Sequence, residues 1–199
     1  MAVIIASIVN ARSMIISLNG KPGSGKSTVA TRLAAALGYE RIYIGGMRRE
    51  MARRKGMTLQ EFNAWSESHP EGDTEFDEYL TELGKTKDDF IIESRTAFHF
   101  IPHAIKIFLD VSVEVGSQRI WDAIRQGAQD RNEGVNLTDY VAVENAVRAR
   151  LASDQLRYQK YYHLDIFSPA HYDLFLDTTD LTPEAEYRQV WEFVQSRLK

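Results

Sequence analysis

Residues 20–27 read Gly-Lys-Pro-Gly-Ser-Gly-Lys-Ser, which fits the spacing G-x-x-x-x-G-K-S/T. Glycines at these positions let successive backbone N–H groups point into one concavity. Such a concavity holds phosphate oxygens, the lysine adds a positive charge beside them, and the serine hydroxyl can reach Mg²⁺. The pattern therefore predicts a phosphate-binding loop. We assign contacts with the donor nucleotide to Gly20, Gly23, Ser24, Gly25, Lys26, Ser27 and Thr28.

The residues around this loop support the prediction. Residues 14–18, Met-Ile-Ile-Ser-Leu, form an apolar run that is typical of a buried parallel strand. After the loop, Val29, Leu33 and Leu37 recur at helical spacing, and Gly38 is a typical helix stop. Strand, glycine loop and helix thus occur in the required order, which argues against a chance glycine-rich turn.

Composition narrows the class of protein. The 199 residues suit one domain with a sizeable core, and the absence of cysteine excludes disulfides, thiolate metal sites and cysteine nucleophiles. A formal net charge of −4 gives no support to general nucleic-acid binding. The apolar run Ala2 to Val9 lacks a basic flank and is too short to span a membrane. We expect a cytoplasmic protein with no nucleic-acid or membrane partner, in which 1–13 is an N-terminal extension and 14–199 a single domain.

Short apolar segments alternate with helical patterns along the rest of the chain. Further strands are expected over 41–44, 90–93, 105–110 and 172–176. Helices are expected over 47–55, 113–125, 140–162 and 182–198. Another helix is expected to begin at the Thr58–Glu61 capping box, and a further one to follow an acidic stretch at 71–78. The alternation predicts an α/β fold of the P-loop NTPase type, a doubly wound parallel five-stranded sheet with helices on both faces. We expect an acceptor-binding insert at about 45–85 and a lid at about 126–139.

Arginines follow two of the predicted strands. Arg49 comes just after the Gly45-Gly46 turn expected behind the second strand, and Arg95 comes just after the third. Ligands of such sheets bind beyond the carboxyl ends of the strands, and guanidinium groups bind phosphate in a bidentate manner. We therefore assign Arg49 and Arg95 to a second, anionic substrate. Arg48, Arg53, Arg54 and Lys55 are expected to be solvated, because one helix cannot direct all of them at one point.

The metal ligand is expected at a strand end as well. Glu93 ends an apolar strand, where an acid can hold Mg²⁺ through water, and we assign Ser27 to the same ion. Asp110 competes for this role, although it is equally typical of a helix cap. We favour Glu93, because Arg95 lies close to it in the sequence.

A further group of arginines surrounds the predicted lid. Arginine is dense from Arg119 to Arg157, with a polar, glycine-containing loop at 127–139 in the middle. A closing lid can bring arginines to the charge of a transferring phosphoryl group and exclude water. We assign Arg150 and Arg157, together with Lys26, to catalysis and Arg119 to the donor nucleotide.

The chain resembles the nucleoside-monophosphate kinases, most closely the compact archaeal-type cytidylate kinases. The resemblance extends from about Met14 to the C-terminus and rests on four segments in order. These are ISLNGKPGSGKSTVATRLAAALG, GGMRREMARRKGMTLQEFNAW, FIIESR and RARLASDQLRYQKYYHLDI. The first is shared by many families, whereas the segment around Gly56 to Phe62 and the residues Arg157-Tyr158, Tyr162 and Asp165 are more specific.

The resemblance implies ATP as donor, Mg²⁺ as metal, and CMP or dCMP as the small-molecule nucleotide acceptor. It implies that Arg49 and Arg95 hold the acceptor phosphate and that Arg150 and Arg157 engage the transferring phosphoryl group. Asp73 and Asp77 match acidic positions on the acceptor side. We expect a monomer or weak dimer.

Three positions depart from the usual pattern of this family. Gly46 stands where the family often has an aspartate. After the third strand the family usually has Glu-Gly-Arg, and here Ser94 replaces the glycine of that triplet. Arg48 stands where an apolar or aromatic residue is usual. All three lie around the acceptor pocket and leave the identity of the acceptor open. Two alternatives to a cytidylate kinase remain. One is a kinase of another small molecule, such as a different nucleotide or a dephosphorylated coenzyme. The other is an ATPase or nucleotide-hydrolysing switch, although Thr86-Lys87-Asp88-Asp89 precedes a strand and so does not fit a GTPase base-reading motif.

Overall fold

The computed structural model describes residues 14–127 and 137–198. Five strands occur in it, β1 (Ile15–Gly20), β2 (Glu40–Tyr43), β3 (Phe90–Glu93), β4 (Ile105–Asp110) and β5 (Leu174–Asp177). Its α-helices are α1 (Lys26–Leu37), α2 (Ile44–Arg54), α3 (Leu59–Ser66), α4 (Glu71–Thr86), α5 (Ala97–Phe100), α6 (Val113–Arg125), α7 (Tyr140–Tyr162) and α8 (Pro183–Arg197).

The strands form one parallel sheet in the order β2-β3-β1-β4-β5. Apolar side chains alternate between its two faces, and both faces are covered. On one face Ile16 and Leu18 pack with residues of α1 and α8. On the other face Ile15 and Ile92 pack with residues of α4 and α5. The predicted doubly wound, five-stranded fold is confirmed.

Some sequence-based boundaries were wrong. The last strand begins two residues later than expected, and the Gly45-Gly46 pair lies in the first turn of α2 instead of a turn before it. A Cβ atom on either glycine would come within 3.0 Å of the Tyr43 ring, so the glycines make room for that ring. The acidic stretch at 71–78 is itself helical, because α4 begins at Glu71.

Helices α2, α3 and α4 fill the connection between β2 and β3, where the acceptor-binding insert is predicted. Helix α7 packs against α3 of this insert and against α6. It thereby links the insert to the half of the sheet that carries β4. Most of the predicted lid, 128–136, and the N-terminal extension at 1–13 lie outside the described residues.

Candidate active site

A cavity of about 530 Å³ opens at the carboxyl edge of the sheet, next to the phosphate loop. The loop contributes residues 22–28 to one wall, and the insert and strand ends contribute the other. The charged residues of this second wall and of α7 that line the cavity are Arg41, Arg48, Arg49, Arg53, Asp73, Asp77, Glu93, Arg95, Arg150 and Asp154. The fold therefore brings together in one cavity residues that are widely separated in the sequence.

The phosphate loop has glycine where no other residue fits. Gly20, Gly23 and Gly25 have φ of +144°, +77° and +87°, in the region that L side chains rarely adopt. A Cβ atom on Gly20 or Gly23 would lie 2.2 Å from the backbone oxygen of Leu109 or Gly116. The loop is thus held against β4 and α6 by close backbone contacts.

Lys26 folds back over this loop. Its Nζ donates to the carbonyl oxygen of Lys21 at 2.5 Å and to Ser24 Oγ at 3.2 Å. Burial lowers the pKa of the Lys26 amine well below its usual range, and the nearby charges of Arg95 and Arg150 act in the same direction. Phosphate anions in the loop would oppose this shift, because negative charge stabilises the protonated amine.

Ser27 and Glu93 meet beside the loop. Ser27 Oγ donates to Glu93 Oε2 at 2.8 Å, and Glu93 is buried. Asp110, the competing candidate for the metal, instead pairs with Lys21 at 2.6 Å, and α6 is capped by Ser112. The structure thus brings Ser27 together with Glu93.

This pair fits the Mg²⁺ that such a loop is expected to use. Hydroxyl and carboxylate oxygens are the hard ligands that Mg²⁺ prefers, and it commonly keeps waters and phosphate oxygens as further ligands. Because the Ser27 proton is donated to Glu93, the lone pairs of the hydroxyl oxygen stay available to a cation. Among residues 14–127 and 137–198 no group of three or more His, Asp or Glu side chains could hold a metal ion by itself.

Arg49 and Arg95 approach the cavity from different elements. Arg49, in the middle of α2, donates to the Tyr43 hydroxyl at 2.5 Å and to the Gly45 carbonyl at 3.1 Å. Arg95 follows β3 and donates to the Gly20 carbonyl at 2.5 Å. Both guanidinium groups line the cavity that also contains the loop.

A buried ion network connects the insert to α7. Asp73 accepts a hydrogen bond from Arg48 at 2.8 Å. Both oxygens of its carboxylate also accept from Arg157, at 2.6 and 2.5 Å. Arg157 also bonds Asp154 at 2.6 Å and is fully buried. Burial alone raises the pKa of Asp154, but the charges of Arg95, Arg157 and Arg150 outweigh it and lower that pKa to about 2.

The expectation that Arg48 is a solvated surface residue was wrong. Its side chain is 11% exposed, and it donates to the side chains of Asn63, Ser66 and Asp73 and to the Gly72 carbonyl. These partners lie on α3 and α4, so Arg48 joins the three helices of the insert. A charged residue was misjudged here because its acidic partner lies 25 positions away.

Asp77, one turn after Asp73, faces the same cavity. Thr96 Oγ1 donates to its Oδ1 at 3.1 Å, and the Tyr162 hydroxyl donates to its Oδ2. Burial raises the pKa of Asp77 to about 6, and the charge of Asp73 acts in the same direction. The carboxyl therefore changes charge close to physiological pH.

Three predicted residues are not on the walls of the cavity: Gly20, at the end of β1, Arg119 and Arg157. Arg157 is enclosed by Asp73 and Asp154. Arg119 binds the loop after β5, donating to the Thr178 carbonyl at 2.7 Å, the Leu181 carbonyl at 3.2 Å and, more weakly, the Gly23 carbonyl at 3.4 Å. Arg150, in contrast, lines the cavity.

Sequence reasoning missed Asp154 and Arg41. Arg150, Asp154 and Arg157 share one face of α7 because they are spaced by four and three residues, and this periodicity was the available signal. Arg41 pairs with Glu93 Oε1 at 2.6 Å. No sequence pattern distinguishes it from other arginines of an edge strand.

The three departures from the family pattern each have a local structural reason. Gly46 leaves room for the Tyr43 ring. Ser94 Oγ accepts from the backbone N–H of Thr96 and of Ala97 at 3.1 and 3.2 Å, at the start of α5. Arg48 is neutralised by Asp73.

Comparison with known proteins agrees with this geometry. A sequence family described as an AAA domain matches residues 16–135. Cytidylate kinases from Natronomonas pharaonis and Pyrococcus furiosus are 35% and 31% identical to the chain, over 86% and 87% of it and 84% of each relative. An S-adenosylmethionine-dependent nucleotide dehydratase from Lacinutrix mariniflava is 35% identical over 84% of the chain, but the match covers only 33% of that protein.

Solved structures show the same fold at low sequence identity. The shikimate kinase of Bacteroides thetaiotaomicron superposes with a TM-score of 0.61 at 15% identity, covering 92% of this chain and 99% of that one. Within the described part of the chain, no helix has the length and apolar character needed to cross a membrane. Given the extent of the sequence matches and the shared fold, the chain belongs to the cytidylate kinase family, a group of nucleoside-monophosphate kinases.

Proposed function

We propose that this chain transfers the γ-phosphoryl group of ATP to CMP or dCMP and thereby forms the diphosphate. The observation that carries the proposal is the shared cavity. The phosphate loop with Lys26 lines one wall, and Arg49 and Arg95 line the other. Two sets of cations facing one space suit two phosphate-bearing substrates that meet end to end. A hydrolase without an acceptor gives no reason for the second set.

The donor is bound by the loop. Backbone N–H groups around Gly23 and Gly25 and the N-terminus of α1 surround its phosphates. Lys26 exchanges its contact with the Lys21 carbonyl for the β- and γ-phosphates. Ser27, and Glu93 through water, would hold Mg²⁺, which when bound neutralises the charge that develops on the phosphates.

The acceptor phosphate is bound by Arg49 and Arg95. A phosphate monoester is already an anionic nucleophile, so these arginines need only align its oxygen with the γ-phosphorus. Arg150 on α7 lines the same cavity and is the arginine placed to stabilise the transferring group. The assignment of Arg157 to this task stays a prediction, because in the structure it is paired with Asp73 and Asp154.

The base of the acceptor is recognised by the carboxylates of α4. Cytosine has an amino group at C4, which donates a hydrogen bond, whereas uracil has a carbonyl oxygen at C4, which accepts one. The buried Asp77 carboxylate accepts hydrogen bonds from Thr96 and Tyr162 and can accept another from the amino group. A carbonyl oxygen in that position would face a negative charge, so this site favours cytosine over uracil. A cytoplasmic location and a monomeric or weakly dimeric state complete the proposal.

A coupled assay of ADP release tests the function. ATP and Mg²⁺ are offered with CMP, dCMP, UMP, AMP, GMP or no acceptor, and the Lys26→Ala variant is the matched control. We expect release with CMP and dCMP, at least about tenfold slower release with UMP, and almost none without acceptor. Equal release with and without acceptor would favour a hydrolase, and a preference for AMP or GMP would overturn the assigned acceptor.

A further inference from the structure

Both oxygens of the Glu93 carboxylate are occupied in the structure. Oε2 accepts from Ser27, whereas Oε1 accepts from Arg41 Nε and lies 2.6 Å from Arg41 Nη2 as well. The Glu93 side chain is 2% exposed, so its charge is buried and needs a partner. In this structure Arg41 supplies that partner.

Arg41 reaches Glu93 along the sheet. The two residues lie on neighbouring parallel strands, with Arg41 opposite Ile91 and Tyr43 opposite Glu93. Arg41 is 31% exposed, its guanidinium lies 5.3 Å from the centre of the Tyr43 ring, and it lines the same cavity as the phosphate loop. Its charge is therefore paired with the same carboxylate that, together with Ser27, would hold the metal.

We propose that Arg41 competes with Mg²⁺ for Glu93, so that the protein without nucleotide binds the metal weakly and takes it up together with the donor phosphates. The inference rests on the metal site assigned above. A single positive charge within a few ångströms of a divalent cation opposes its binding strongly, even with the effective dielectric of a protein surface. Phosphate anions in the loop supply the charge that overcomes this repulsion.

Removal of Arg41 has two opposite effects, and their sizes differ. Glu93 loses a partner that orients it, which weakens the site by a small factor. The repulsion of a divalent cation by the guanidinium disappears at the same time, and this effect is larger because it scales with the double charge of the metal. The net result is tighter metal binding in the absence of nucleotide.

The test measures metal binding to the nucleotide-free protein, with Mn²⁺ as a paramagnetic probe and Mg²⁺ as its competitor. We expect Arg41→Gln to raise the affinity for Mn²⁺ at least about tenfold, and Arg41→Lys, which keeps the charge on a single donor group, to raise it less than about threefold. Arg32→Gln is the matched control, since Arg32 is paired with Glu184 outside the cavity. It should leave the affinity unchanged.

Thermal unfolding gives a second readout that does not depend on turnover. Arg41→Gln should unfold at a lower temperature than the native protein in metal-free buffer, because Glu93 is left buried and unpaired. Mg²⁺ should raise the melting temperature of this variant more than that of the native protein. The double variant Arg41→Gln with Glu93→Gln should lose that response, because no carboxylate remains for the metal.

Unchanged or weaker Mn²⁺ binding by Arg41→Gln would overturn the proposal. So would an equal response to Mg²⁺ in the single and double variants. These outcomes are distinguishable from failure of the proposed function, since transfer from ATP to CMP by the native protein is measured independently. If Arg41→Gln does not fold, Arg41→Lys still decides, because an Mn²⁺ affinity raised tenfold or more by a substitution that keeps the charge contradicts charge competition.

Discussion

Arg95 and Asp154 form an ion pair, with 2.8 Å between Nε and Oδ2, that connects the end of β3 to α7. The same guanidinium donates to the Gly20 carbonyl at the end of β1. Arg95 therefore joins the phosphate loop to the helix that follows the predicted lid. An acceptor phosphate bound by Arg95 would meet the donor at this junction.

Arg95→Ala should raise the KM for the acceptor at least about tenfold and change the KM for ATP less than about threefold. The physical reason is the loss of the cation that we propose binds the acceptor phosphate. Steady-state kinetics with each substrate varied in turn measure both constants. Arg54→Ala is the control, because Arg54 is 78% exposed in the same insert. An equal effect on both substrates would remove Arg95 from the acceptor side.

Lys26→Ala should reduce kcat by roughly 10²–10³-fold, the scale for loss of one positioned electrostatic group. Lys26 already lies over the loop, where it contacts the Lys21 carbonyl, so little reorganisation is needed to reach phosphate. Turnover is measured at saturating ATP and CMP. A kcat within tenfold of the native value would exclude Lys26 from the mechanism.

Asp77 should make the preference for cytosine depend on pH. Its pKa is raised to about 6 by burial, so the carboxyl is ionised at pH 8 and mostly protonated at pH 5. Protonation weakens acceptance from the cytosine amino group. We expect the ratio of kcat/KM for CMP to that for UMP to fall as the pH drops through about 6.

Asp77→Asn should remove this inflection. Both nucleotides carry the same phosphate, so their ratio isolates the base from the titration of the phosphate group. A pH-independent ratio in the native enzyme would show that Asp77 does not contact the base.

Arg157→Met should lower the free energy of unfolding by about 3 kcal/mol, the scale for breaking a buried ion network. Arg157 is fully buried between Asp73 and Asp154, and methionine replaces part of its volume but none of its charge. Urea unfolding measures this loss. If Arg157 also engages the phosphoryl group, kcat falls at least about tenfold at a temperature where the variant is fully folded. Full activity of the folded variant would restrict Arg157 to the network.

Glu186→Gln should stabilise the protein more at alkaline pH than at acidic pH. Burial raises the pKa of Glu186 to about 7, its carboxylate lies against Gly25, and Oε1 has no hydrogen-bond partner in the described part of the chain. The folded state favours the protonated acid. This stabilisation is therefore complete below the unfolded pKa of about 4.3 and is lost as the pH rises through about 7.

Urea unfolding at pH 5 and pH 8 tests this dependence. We expect Glu186→Gln to increase the free energy of unfolding by about 1–2 kcal/mol at pH 8 and by less than half as much at pH 5, allowing for partial access of solvent. Glu192→Gln, on the exposed side of the same helix, should have little effect at either pH. A gain of equal size at both pH values would contradict the assignment to charge.

The sheet and its loop were predictable from local patterns. Apolar runs such as 14–18 and 90–93 and the helical spacing after Lys26 led to the correct element types and strand number. The predicted start of α2 was wrong, because the Tyr43 ring packs against Gly45 and Gly46, which lie in the first turn of the helix. The short helix α5 was missed because Ser94 supports its first turn through side-chain bonds to the backbone.

The amino-acid sequence alone was enough to predict the phosphate loop and the alternation of strands and helices. Both depend on backbone geometry and on periodicity over a few neighbouring positions. The tertiary structure selected which charges face the cavity and which neutralise one another. Arg48 and Arg157 lie 25 and 84 positions from Asp73. Their burial follows from the packing of α2, α4 and α7, and no local pattern records the distance between charges on separate helices.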